Sequence, residues 1–170
     1  MTLVLIIAIG NPRLSTSVPR NNLQISVIAA IQPSSALQVS GISMPARRKA
    51  YGAAVHNSST KKTTQYEIQW IAAAPPGCAH VQNPKVFHFS RTVASELAPE
   101  ETKAEKASEI KISALSEVAE KLQTDFLQVQ VGVVRAKFED GASWQDNDRH
   151  EDSDVFMPSA LEADRDKCYQ

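Results

Sequence analysis

The stretch "FLQVQVGVVRAKFEDGASWQ", Phe126 to Gln145, carries the decision about fold. Leu127, Val129, Val131 and Val133 occupy odd positions, whereas Val134, Ala136 and Phe138 occupy even ones. Strand side chains alternate between two faces, so either run alone reads as a half-buried strand. Joined, the runs slip phase at Gly132-Val133-Val134, and a strand cannot change faces by itself. A bulge or a switch between sheets is required, and Gly132 is where it costs least. Glu139-Asp140-Gly141 then turns the chain back. A two-residue Asp-Gly turn pairs Lys137 with Trp144 and puts the indole on the charged face. A three-residue turn with Gly141 left-handed pairs Phe138 with Ala142 and Ala136 with Trp144. Only the second gathers Phe138, Ala136 and Trp144, so the acidic pair is read as a hairpin bend, with the glycine there for its backbone angle.

Working outward, "TQYEIQWIA" alternates cleanly, with Tyr66, Ile68, Trp70 and Ala72 on one face and Gln65, Glu67 and Gln69 on the other. Tyr51, Ala53 and Val55 alternate before it, and the polar run "HNSSTKKT" makes the connecting loop. "LQVSGIS" (Leu37 to Ser43) and "KVFHFSR" (Lys85 to Arg91) are two further strands. Pro75, Pro76 and Gly77 mark a loop between Ala74 and Asn83. In "SALSEVAEKL" the rhythm becomes helical, with Leu115, Val118, Ala119 and Leu122 on one stripe, Ser113 as the expected cap and Glu117 in the first turn. So short a helix needs a sheet to lean on. "APEETKAEKASE" reads as a charged connection without core-forming residues. Seven or eight short strands with one helix at a crossing predict an all-β, two-sheet sandwich of immunoglobulin-like type.

"AAVHNSS", the alternating "YEIQW" and the late "VRAKFEDGASW" resemble the immunoglobulin-like sandwich domains common in bacterial envelope and secreted proteins. The resemblance spans Leu37 to Gln145 and implies a module that binds or connects other molecules. The chain departs from antibody domains in lacking two cysteines around the core tryptophan, since Cys78 lies in the Pro-Gly loop.

At 170 residues the chain holds one domain plus extensions. Its net charge of −1 provides no overall field for nucleic acid or anionic lipid, and its few surface aromatics provide no stacking platform. Basic residues cluster only at Arg47-Arg48-Lys49 and Lys61-Lys62. "LVLIIAIG" (Leu3 to Gly10) is too short to span a bilayer. Residues 1–36 read as a signal or leader segment: Arg13 and Arg20 supply the basic region, Leu23 to Ile31 the apolar one, and Ser34-Ser35-Ala36 a cleavage site before Leu37. The rival reading makes Leu23 to Ile31 an ordinary strand. The domain then covers 37–147, followed by an acidic extension at 148–170. Periplasmic or secreted placement is expected, with a cytoplasmic one as the alternative. Cys78 and Cys168 are a candidate disulfide that would pin the tail in an oxidising compartment.

No motif points to catalysis, a cofactor or a metal. The run "DNDRHEDSD" (Asp146 to Asp154) fails as an EF-hand loop, with Glu151 at its sixth position and Met157 at its twelfth. Cys78, His80 and His88 match neither a zinc spacing nor a Cys-His nucleophile pair. Asn57-Ser58-Ser59 is a glycosylation sequon. Val155, Phe156, Met157, Leu161 and Ala163 form an apolar tail, with Ser159 capping a short helix, expected to pack on the domain or to meet a partner. The expected function is a non-catalytic envelope or secreted interaction module with an unknown protein partner. The alternative is an intracellular adaptor or small-ligand sandwich without a disulfide.

Overall fold

The computed structural model describes residues 23–32, 35–44 and 49–146. In chain order the elements are β1 (Gln24–Ala29), β2 (Leu37–Ser43), β3 (Ala50–Asn57), β4 (Thr63–Ala73), β5 (Phe87–Leu97) and β6 (Thr102–Ala104). A 3-10 turn (Lys106–Ser108), β7 (Ile110–Lys111), α1 (Ile112–Leu122), β8 (Phe126–Phe138) and β9 (Ser143–Gln145) follow. The protein is an all-β, sandwich-like fold with one α-helix among the described residues.

The phase slip in β8 is a bulge. Glu67 of β4 pairs with Arg135, but Ile68 pairs with Val133, leaving Val134 extra. Val131, Val133, Ala136 and Phe138 therefore all reach the core. The hairpin is the three-residue form. Gly141 has φ 81°, the Phe138 N–H donates to the Ala142 carbonyl at 2.9 Å, and Ala136 pairs with Trp144. Trp144 packs against the core only half-buried, whereas Trp70 is buried. The difference lies in position, since β9 is a short flanking strand and β4 runs between β8 and β5.

The larger sheet runs β1-β8-β4-β5, with β9 also on β8. β8 pairs with β4 on one side, from Gln128 to Phe138. Its other edge is shared, by β1 in parallel from Phe126 to Val131 and by β9 at Arg135 to Lys137. Leu23 to Ile31 thus holds a strand, with Ile25, Val27 and Ala29 packed against the core. The smaller sheet centres on β3, with β2 on one edge and β6 and β7 in line on the other. Nine strands are present among the described residues. "APEETKAEKASE", read as a bare connection, contains β6 and the 3-10 turn, and its Ser108 is fully buried.

Tyr66, Ile68 and Trp70 from β4, Leu127, Val129, Val131 and Val133 from β8, and Val55 and Leu37 from the smaller sheet form the shared core. Each fully buried aliphatic of this kind contributes about 1.5–3 kcal/mol. α1 adds Leu115, Val118, Ala119 and Leu122 to that core. Its start differs from expectation. Lys111 stands at the cap position without a side-chain bond, Ser113 lies inside the helix, and Glu117 follows the first turn. A tertiary bond substitutes for the cap, the Ile112 N–H reaching the Lys49 carbonyl at 2.9 Å.

Candidate interaction surface

Two gaps in the sheets are closed by side chains. Between β6 and β7 the 3-10 turn leaves the edge of β3 without a strand. There the buried Ser108 hydroxyl lies 2.9 Å from the Ala53 carbonyl and 2.6 Å from that of Glu105. The Trp70 Nε1–H donates to the Ser108 carbonyl at 3.1 Å, tying the two sheets together. In the larger sheet, Gln32 fills the gap between β1 and β9. Its Nε2 donates to the Val133 carbonyl at 2.8 Å, and its Oε1 accepts the Val133 N–H at 3.2 Å. The same Nε2 reaches an Asp146 carboxylate oxygen. A side-chain amide has the donor and acceptor of a peptide group, so Gln32 stands in for a missing ladder rung.

At the opposite end, Asn57 joins three segments. Its Nδ2 donates to the carbonyls of Lys61 at 2.8 Å and Leu97 at 3.1 Å, and its Oδ1 accepts from the Ser59 N–H and hydroxyl. With 0 % of it exposed, this sequon asparagine is a structural pin that offers no amide to a glycosyltransferase in the folded chain.

The expected site residues fare differently. Cys78 is buried at the turn after β4, where its N–H donates to the Pro75 carbonyl at 2.9 Å. No free thiol occurs among the described residues, and Cys168 lies outside them. His80 is exposed and His88 half-buried on β5, its Nδ1 enclosed without a hydrogen-bond partner. Among the described residues no cluster of three or more His, Cys, Asp or Glu is placed to hold a metal. Asp140 pairs with Lys61 at 2.6 Å, and that hydrogen bond holds its carboxyl below the usual range. Lys62 pairs likewise with Glu96 at 2.7 Å. The remaining acidic run from Asn147, the tail helix, and Arg47-Arg48 lie outside the described residues. No described helix is long and apolar enough to cross a membrane.

What remains as surface is strand edge. Among the described residues β5 is an eleven-residue strand that pairs with another strand on one side only, β4. Ser90, Arg91, Thr92, Ala94 and Glu96 along it are exposed. Beside it, Gln65, Tyr66, Glu67, Thr92, Arg135, Ala136 and Lys137 line a groove in which Arg135 and Glu67 meet at 3.5 Å. Sequence reasoning missed Gln32, Ser108 and Asn57, because each acts through main-chain groups that no residue pattern encodes. Comparison with family models, with curated proteins and with solved structures gave no match for this chain.

Proposed function

We propose that this chain is a non-catalytic interaction module of immunoglobulin-like sandwich type, working in the cell envelope or secreted space. The observation that carries the reading is the edge of β5 that pairs with no strand among the described residues. A long strand edge without a partner strand is a template onto which an extended segment of another protein adds, main-chain bonds giving affinity and alternate side chains giving selectivity. Two sheets that share one core support the sandwich type. The absence of a free thiol at Cys78 supports an oxidising compartment. Cleavage before Leu37 would remove β1 and Gln32 from the larger sheet.

A displayed library of extended peptides, screened against the full-length chain, tests the binding mode. The expected ligands perturb backbone amide signals of β5 from Ser90 to Glu96. Ligands that perturb only other regions, or the failure of any peptide to bind, would remove the β5 reading. The compartment is tested separately by intact mass from the native host. An oxidised chain gains two hydrogens on reduction, whereas a chain already carrying free thiols favours the intracellular adaptor.

A further inference from the structure

β5 lacks most of the devices that keep an outermost strand from pairing. It is eleven residues long, it contains no proline, and none of its residues has a positive φ. Its side chains alternate without a break up to Leu97. Val93, Ser95 and Leu97 are buried on the core side, while Ser90, Thr92, Ala94 and Glu96 are exposed on the outer side that His88 shares. A register shift against β4 falls between Ala94 and Leu97, but it leaves that alternation intact. Ser90, Thr92 and Ala94, in the middle of the outer face, are small enough to let a second strand lie alongside.

We propose, on the reading of β5 as the working edge, that the strand added to it is β5 of a second copy of this chain, antiparallel and related by a two-fold axis through Thr92. An axis normal to the sheet pairs residues that lie on the same face, so the two partners have the same parity. Thr92 is the midpoint of Phe87–Leu97, and only an axis there overlaps all eleven residues. In that register Ser90 faces Ala94, Thr92 faces itself, and an imidazole faces a carboxylate twice, His88 against Glu96 at each end. Opposite-charge and Thr–Thr pairs across a ladder are favourable. Glu96 is open to a second partner, because its side chain is 71 % exposed even while it meets Lys62 at 2.7 Å. Neighbouring registers are poorer. An axis at Arg91 sets two guanidinium groups face to face, and one at Val93 sets Glu96 against Ser90. On the Thr92 axis Arg91 faces Val93 and lies diagonal to its own copy, a like-charge contact that limits affinity. The assembly is therefore a dimer that dissociates on dilution, with the two larger sheets joined into one through β5.

The test uses the full-length chain carrying Ser90→Cys, Thr92→Cys or Ala94→Cys, all at exposed positions outside the core. Dibromobimane, which bridges only adjacent thiols, is expected to link two copies of Thr92→Cys. Ser90→Cys alone and Ala94→Cys alone should stay unlinked, since each lies about 13 Å along the ladder from its own copy. Mixed together, those two variants should link to each other. Sedimentation equilibrium of the unaltered chain is expected to show monomer and dimer in exchange, and Arg91→Thr to lower the dimer Kd about threefold. A chain that stays monomeric, a dimer that links in any other pattern, or a Kd that Arg91→Thr leaves unchanged or raises would overturn the self-pairing. The peptide screen fails or succeeds separately: a foreign segment that perturbs the β5 amides upholds the edge as a binding site even where two copies do not pair.

Discussion

Ser108 and Gln32 solve the same problem in opposite settings. Each closes a gap where one strand edge lacks a continuous partner, Ser108 against β3 and Gln32 against β8. Ser108 is fully buried and also receives the indole of Trp70, whereas Gln32 lies half-buried at an outer edge. An interior carbonyl that loses its donor has no water to turn to, but an edge carbonyl does. The two repairs therefore have similar geometry and unequal weight.

The comparison is sharpened most by Trp70→Ala, which empties the space between the sheets and removes the bond to Ser108. Denaturant unfolding is expected to show a loss of about 3–5 kcal/mol. Ser108→Ala keeps the volume but leaves the Ala53 and Glu105 carbonyls without that hydroxyl, for an expected loss of about 1–3 kcal/mol. Gln32→Ala is expected to cost about 0.5–1.5 kcal/mol, with hydrogen exchange accelerating at Val133. A loss at Gln32 equal to that at Ser108 would break the contrast. Tyr66→Phe is the smallest effect at neutral pH, because the buried Tyr66 hydroxyl has no hydrogen-bond partner among the described residues. Its stability should be unchanged or slightly raised. Burial, helped by the charge of Glu105, pushes the Tyr66 pKa from 10.0 to about 12. The folded chain therefore keeps its proton where the unfolded chain loses it. The Tyr66 contribution to stability is flat below about pH 10 and falls by at most about 1.4 kcal/mol per pH unit up to about pH 12. Tyr66→Phe should flatten that alkaline limb.

Legibility in the sequence follows the same division. The bulge near Val133, the Gly141 turn and the limits of β2 were readable, because apolar period and glycine conformation are local properties. β6 was not, because a three-residue edge strand with two exposed side chains has no apolar pattern. The expected cap at Ser113 failed because Lys49, more than sixty residues earlier, supplies the carbonyl that the helix start needs. Gln69 was placed on the solvent side by alternation, and its face is right, but that part of the face is buried. Of the candidate surface, the loop holding Cys78 was foreseen. The open edge of β5 was not, because which strands end up outermost is decided by pairings between distant segments.

The parallel pairing of β1 with β8 has a consequence for synthesis on the ribosome. Gln24 meets Phe126, a partner translated about a hundred residues later. The first described strand must therefore wait, unpaired and apolar, until nearly the whole larger sheet has emerged. Contacts so distant in sequence slow folding and lengthen exposure to aggregation, so the nascent chain is expected to need a holding chaperone most during that interval.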